Sequence, residues 1–481
     1  MDDPAAGRFA TGSHDLPVSE TLASFMTRDW APSGKPLPVR RSVAPYAEKR
    51  RAALSALFPG ERLVLPAGPP KVRSNDCDYR YRAHTAYTHL TGDTGADTGT
   101  GAVLVLEPTG TGHDAVLYHR PRSSRDDAGF FRDRRHGEFW VGPRATPAET
   151  EERLGLACAP LGDLAGALRG QVPTRVIRGV DPEVDRAVPA RAPEADAELA
   201  ACAAELRLVK DDWEIAQLQA AVDHTVDGFT AVAAGLARVT GMPRGERWAE
   251  GTFERVARIR GNGVGYDTIA AAGAHACVLH WTRNDGTLRL GEMLLLDAGV
   301  ETDTLYTADI TRTLPVSGWF TPRQRQVYDL VYHAQEAGLA AVRPGARFRD
   351  FHMAAMRVIA EGLQDWGVLR SAEDALDPES GIYRRYTLCS SGHMLGLDVH
   401  DCSAARASQY LDGELRPGHV LTVEPGLYLQ PDDLTLPPEL RGIGVRIEDD
   451  VLVTETGSRL LSFALPRHPE EIETWMQSLH D

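Results

Sequence analysis

Four carboxylates and one imidazole, in five short and unlike contexts, are the residues of this chain best suited to chemistry. They are Asp297 in MLLLDAG, Asp309 in TADITRT, His393 in SSGHMLGLDVHD, Glu424 in LTVEPGLY and Glu448 in GVRIEDD. Each acid stands inside or beside a run of Leu, Ile, Val or Thr, where a carboxylate is costly unless a cation or a hydrogen-bond partner meets it. The donor set is rich in hard oxygens and suits Mn²⁺, Co²⁺ or Fe²⁺ in roughly octahedral geometry better than a tetrahedral structural zinc. Five ligands with bridging carboxylates favour two ions over one, about 3.5 Å apart, which would acidify a water and polarise a carbonyl. The chemistry expected is metal-assisted hydrolysis.

These groups converge only if the elements bearing them do. Between Asp297 and Asp309 lies GVETDTLYTA, polar and turn-forming at its start, so two antiparallel strands joined by a modest loop would bring both acids to one patch. Taken singly, an Asp after LLL is also an ordinary strand-end turn former. Glu424 and Glu448 lie on β-prone runs, and Pro425-Gly426 would end the first of these directly after its acid. Strand alternation places Glu448 inward with Arg446 on the same face, where a guanidinium would keep an inner carboxylate ionised and oriented. Asp449 and Asp450 fit the plainer reading of surface acids on an edge strand.

The 481 residues and their ordinary apolar and charged fractions suggest two domains. A net charge of −16 with no block of Lys and Arg argues against nucleic acid or anionic membrane as partners. The six cysteines form no C-x-x-C pair, the start lacks the features of a secretion signal, and no apolar stretch approaches bilayer length, so a cytoplasmic protein is expected. Residues 1–40 read as a loosely ordered arm. From Tyr46, YAEKRRAALSALF has helical spacing, and RLVLPAG, GAVLVLE and DAVLYHR read as short buried strands, making 41–200 an α/β unit with a capping box at Thr146 and Glu149. After an Ala-, Pro- and Glu-rich passage, Ile215, Leu218, Val222, Val226 and Phe229 recur at helical spacing behind a second capping box, Asp211 with Glu214. The acid-bearing segments then alternate with helices, which gives an α+β fold over 205–481.

These contexts, in this order, resemble the pita-bread metallopeptidases, in their Xaa-Pro aminopeptidase (aminopeptidase P) and prolidase branch. The likeness extends through RLVKDDWEIAQL, YDTIAAAGAHACVLHWT, LLLDAGVETDTLYTADITRTLPVSG, GHMLGLDVHD, LRPGHVLTVEPGLYL and RGIGVRIEDDVLVTETG. It implies a C-terminal pita-bread domain behind a smaller α/β domain that lies over a neighbour's site. It further implies Asp297, Asp309, His393, Glu424 and Glu448 as ligands of two divalent ions, manganese first, with Co²⁺, Fe²⁺ or Zn²⁺ as alternatives. By the same resemblance Glu424 doubles as general base, His280 and His400 contact substrate and move protons, and Arg446, Tyr428 and Thr311 support the ligands. The substrate implied is a peptide with proline second, and the assembly a homodimer or a dimer of dimers.

RGIGVRIEDD, with Tyr410 near the place of a prolidase arginine, resembles the aminopeptidase P form more than the prolidase one. Two positions depart from the family pattern. Cys389 stands where a histidine precedes the ligand histidine by four residues, and the apolar Leu388 and Met394 around it suggest an inert buried thiol. Ala86 stands where bacterial relatives carry an aspartate. Three alternatives follow: a prolidase-like dipeptidase, a relative repurposed for another amide or ester, and a peptide-binding pita-bread module without catalysis.

Overall fold

The run RLVLP is apolar on both faces, and in the computed structural model its five residues, Arg62–Pro66, are all buried as an inner strand. The structure describes residues 18–31, 37–96, 98–190 and 192–479. The chain divides into two compact units, Met1–Leu199 and Ala200–Asp481.

In the first unit, Arg62–Pro66 pairs antiparallel with Val103–Pro108 and parallel with Thr174–Val176. His113–His119 and Ala157–Pro160 extend the sheet to five strands. The helix expected from YAEKRRAALSALF runs over Ala44–Leu57 and buries Ala44, Ala47 and Leu54. Thr146 and Glu149 form the expected capping box, opening the helix Pro147–Leu154. The arm reading falls partly outside the described residues, 1–17 and 32–36 among them. In the part that is described, a helix Glu20–Met26 forms, because the Ser19 side chain accepts the amide of Leu22 and caps it.

The second unit, entered within the helix Pro193–Glu205, contains the 25-residue helix Asp212–Leu236, whose capping box of Asp211 and Glu214 is present and which buries Leu218, Val222 and Phe229. It packs beside the helix Gly245–Arg260, while Pro322–Ala341 and Phe348–Asp365 form a second packed pair. Against them lies a three-stranded antiparallel sheet in the order Ile310–Pro315, Met293–Ala298, Ile269–Ala272. A second sheet orders Val420–Val423, Asp449–Val453 and Ser458–Leu460, and a ribbon pairs Gly426–Leu429 with Ile443–Arg446.

Two chain segments therefore pass between the second sheet and the ribbon, and each break falls at an acid. Val420–Val423 gives way to Gly426–Leu429 across Glu424 and Pro425, and Ile443–Arg446 gives way to Asp449–Val453 across Ile447 and Glu448. Glu424 and Glu448 are thus not ladder residues, as the strand reading had them. Their amides donate sideways, to the carbonyls of Ser391 at 2.9 Å and Thr311 at 3.1 Å. Asp449 and Asp450, read from sequence as surface acids on an edge, are buried, because their strand is the middle one of its sheet.

Candidate metal centre

The hairpin register sets the first pair of acids. Met293–Ala298 runs antiparallel to Ile310–Pro315 with Asp297 opposite Thr311, so Asp309, just before its strand, comes close to Asp297. Both acids meet the hydroxyl of Tyr266, which lies 2.7 Å from Asp297 Oδ1 and closer still to Asp309 Oδ1. One hydroxyl hydrogen serves one acceptor at a time, so Tyr266 ties the acids as a pair. Burial, reinforced by the charges of Asp297 and Asp309, pushes its phenol well above the ordinary value, which keeps it a donor.

His393 is held edge-on to the strand Val420–Val423: the Thr422 amide donates to its carbonyl at 2.9 Å, and its own amide donates to Thr422 Oγ1 at 3.1 Å. Its Nδ1–H donates to the Met394 carbonyl at 3.2 Å. That leaves Nε2 to face Asp309 Oδ2 at 3.2 Å and Glu424 Oε1 at 3.5 Å. Burial works against charge on this ring, but Asp309 and Glu424 outweigh it and raise its pKa to about 9.

The three supporting residues expected from sequence are joined in one chain of contacts. Arg446 donates from Nη2 to Asp297 Oδ2 at 2.5 Å, from Nη1 to the Tyr428 hydroxyl at 2.9 Å and from Nε to Thr311 Oγ1 at 3.1 Å. Thr311 passes its own hydroxyl hydrogen to Glu448 Oε2 at 2.7 Å. Arg446 pairs directly with Asp297 and His393 faces Asp309 and Glu424, and together they do not neutralise all four acids. Burial raises Asp297 against the pull of Arg446, lifts Glu424 to about 7, and drives Glu448 well above the carboxylate range with Asp309 and Glu424 adding to the push.

Asp309, His393 and Glu448 each offer a ligand atom, and these atoms lie within 4.8 Å of one another. Among the described residues Glu448 Oε1 is buried with no hydrogen-bond partner, which is costly for an acceptor. A crowded cluster of acceptors, with one oxygen unsatisfied and one imidazole nitrogen turned inward, has the donor chemistry of a divalent-cation site. All five candidates line one cavity of about 460 Å³, with Arg446, Tyr428, His280 and His400.

His400 stacks edge-to-face on His393 with ring centroids 4.4 Å apart, and burial, then the His393 charge, lowers its pKa. His280 lines the same cavity and is exposed. Cys389 also lines this cavity and is exposed, as is Leu388, so the expectation of a buried thiol is corrected. Partial burial and the Glu424 charge raise the thiol pKa, so the group stays protonated and inert for a different reason than expected. Tyr410 accepts the Met394 amide on its hydroxyl at 2.7 Å and braces the His393 segment. Ala86 is buried in the helix Thr85–Thr91 of the first unit.

Sequence reasoning missed Tyr266, since NGVGYDT has no periodicity to mark its tyrosine. It also missed Asp450, whose Oδ2 accepts the Asp309 amide at 3.2 Å and whose pKa burial and Asp309 push far up.

Residues 216–455 match the model of metallopeptidase family M24, and residues 46–175 match that of the aminopeptidase P N-terminal domain. Xaa-Pro aminopeptidase 2 of Streptomyces coelicolor is 54% identical over 95% of this chain and 96% of its own. The chain belongs to metallopeptidase family M24. Other M24 relatives include Xaa-Pro aminopeptidase 1 of the same organism, 53% identical over 96% of this chain and 93% of its own. The solved structure of Escherichia coli aminopeptidase P with the inhibitor Pro-Leu superposes with a TM-score of 0.79 at 30% identity, over 92% of this chain and 99% of that one.

Proposed function

We propose that this M24 chain is a metal-dependent hydrolase that removes the N-terminal residue from peptides whose second residue is proline, with two ions held by Asp297, Asp309, His393, Glu424 and Glu448. What carries the reading is the unsatisfied Glu448 Oε1 inside an acceptor cluster with too little positive charge of its own. Manganese is the first choice of metal, as befits carboxylate oxygens, with cobalt, iron or zinc as alternatives. Divalent ions in such a place supply Lewis acidity toward a carbonyl and acidify a water.

The chain's own groups do the rest. Glu424, from its place on the cavity wall, takes a proton from the attacking water and returns it to the departing nitrogen. That return matters because proline leaves as a secondary amine, a poor leaving group until protonated. His400, packed edge-to-face on His393, and His280, in the lining of the same cavity, relay protons and hold the substrate. Arg446 keeps Asp297 in its anionic, oriented form.

The catalytic domain spans 205–481, behind an α/β domain at 41–200 and an arm at 1–40. A homodimer or dimer of dimers in the cytoplasm completes the proposal, and the six free cysteines support a reducing compartment. Protein loaded with Mn²⁺, its metal content verified, is expected to release arginine from Arg-Pro-Pro. Inactivity of the loaded protein on that peptide and on other Xaa-Pro peptides would overturn the reading.

A further inference from the structure

His280 is a proposed catalytic group on a segment without regular structure: residues 278–290 form neither helix nor strand, and His280 is exposed. An imidazole on such a segment keeps its place only through the anchors on either side. Those anchors converge on one buried carboxylate. Glu246, in the first turn of the helix Gly245–Arg260, is fully buried and accepts four hydrogen bonds. Oε1 takes the Ala272 amide at 2.7 Å and His275 Nδ1–H at 2.8 Å. Oε2 takes Trp281 Nε1–H at 2.9 Å and the Gly286 amide at 2.6 Å.

The four donors lie at 272, 275, 281 and 286, so they bracket His280 from both directions, and one of them is the side chain next to it. Trp281 is fixed a second time by stacking on His275, with ring centroids 3.9 Å apart and an interplanar angle of 25°. Gly286 is required at its place, since a Cβ there would lie 2.5 Å from Glu246 Oε1. Asn284 adds a separate tie, accepting the Ala270 amide at 3.0 Å and donating to the Thr268 carbonyl at 2.8 Å. Only a carboxylate offers two acceptor oxygens for four N–H groups. A glutamine would turn an NH₂ toward two of them.

We infer that Glu246 is a positioning residue for His280, acting through the Trp281 indole and the Gly286 amide. Its sequence context, RGERW, carries no sign of this, and it touches neither the cavity wall nor any proposed metal ligand. The inference rests on the reading of His280 as a substrate-contacting residue. A shift of about 1 Å in such a group lowers turnover by up to about a hundredfold, which sets the scale expected here.

The test is a double-mutant cycle on the full, Mn²⁺-loaded chain with Arg-Pro-Pro as substrate. Trp281→Phe removes one N–H and keeps a ring to stack on His275; it is expected to lower kcat about tenfold with KM changed less than about twofold. Glu246→Gln is expected to lower kcat by about tenfold to a hundredfold. In a His280→Ala background Trp281→Phe is expected to cause no further loss, with metal content unchanged throughout. An equal loss with and without His280, or an unaltered kcat in Trp281→Phe, would overturn the inference while leaving the hydrolase reading intact. If His280→Ala alone left kcat unchanged, the role of His280 would fall, and this inference with it. Should Glu246→Gln fail to fold, Trp281→Phe still decides the question.

Discussion

At the scale of single residues, the candidate centre is governed by the shortage of protons and cations among its acceptors. Tyr266 supplies one hydrogen to two carboxylates, and no other described hydroxyl reaches both. Tyr266→Phe keeps the ring and removes that hydrogen, so Asp297 and Asp309 lose their common tether. Loss of such an outer partner costs about 10- to 100-fold in metal affinity or activity, and isothermal titration with Mn²⁺ alongside turnover of Arg-Pro-Pro would measure it; a variant matching the parent in both would refute the tether. The four candidate acids stood out in sequence because a charged group inside or beside an apolar or β-prone run is conspicuous, whereas His393 was singled out by the resemblance of its context, SSGHMLGLDVHD. Tyr266 was not, since a tyrosine fits equally well in a core, a turn or a site. Cys389 misled for a related reason: its neighbours in sequence are apolar, but Leu388 points to solvent and the thiol faces the cavity.

At the scale of elements, local signals were read well and partner exchange was not. The capping boxes at Thr146 and Asp211 involve residues three apart, and the amphipathic spacing of Asp212–Leu236 repeats within each turn. The breaks at Glu424 and Glu448 depend on which strand lies alongside, a non-local fact, and so does the burial of Asp449, which Arg312, Ser462 and Gln335 bind at 2.7, 2.5 and 2.7 Å. The segment linking His393 to His400 is closed by a bond of 2.9 Å from the Asp401 amide to the Met394 carbonyl, and the Asp401 carboxylate is clamped by Arg207 and Lys210. Close to this clamp, His419 sits nearly fully buried, accepting the Arg416 amide on Nδ1 at 3.4 Å, with Nε2 unpartnered among the described residues. Burial, then the charges of Arg416 and Lys210, hold its pKa down to about 3. The folded state therefore binds fewer protons at this site than the unfolded state, whose imidazole titrates near ~6.5. Its contribution to stability is complete above that value and drains away as pH falls toward 3. His419→Asn keeps an acceptor for Arg416 and removes the titration. Urea denaturation between pH 7 and 4 is expected to show a shallower acid decline for the variant, and parallel curves would contradict the assignment.

At the scale of the whole molecule, the ion-free protein and the metal-loaded one should respond to pH in opposite senses through His393, Glu424 and Glu448. Without ions, His393 is raised to about 9, Glu424 to about 7 and Glu448 well above the carboxylate range, so near pH 7 the folded centre holds protons that the unfolded acids have already lost. For these acids the folded state binds more protons than the unfolded one, and their contribution falls as pH rises. A divalent ion requires the same groups deprotonated, so its binding expels those protons, and the apparent affinity strengthens with rising pH. Because ligands that bind only the folded state stabilise by about 2.7 kcal/mol at a hundredfold excess over Kd, the effect is readable in Tm. The difference between Mn²⁺-loaded and chelator-treated protein cancels groups remote from the centre, His419 included, and is expected to widen by several degrees from pH 6 to 8. Calorimetric titration in buffers of different ionisation enthalpy should report the proton release directly. A loading shift independent of pH, with no proton released, would mean that these carboxylates do not hold the ion.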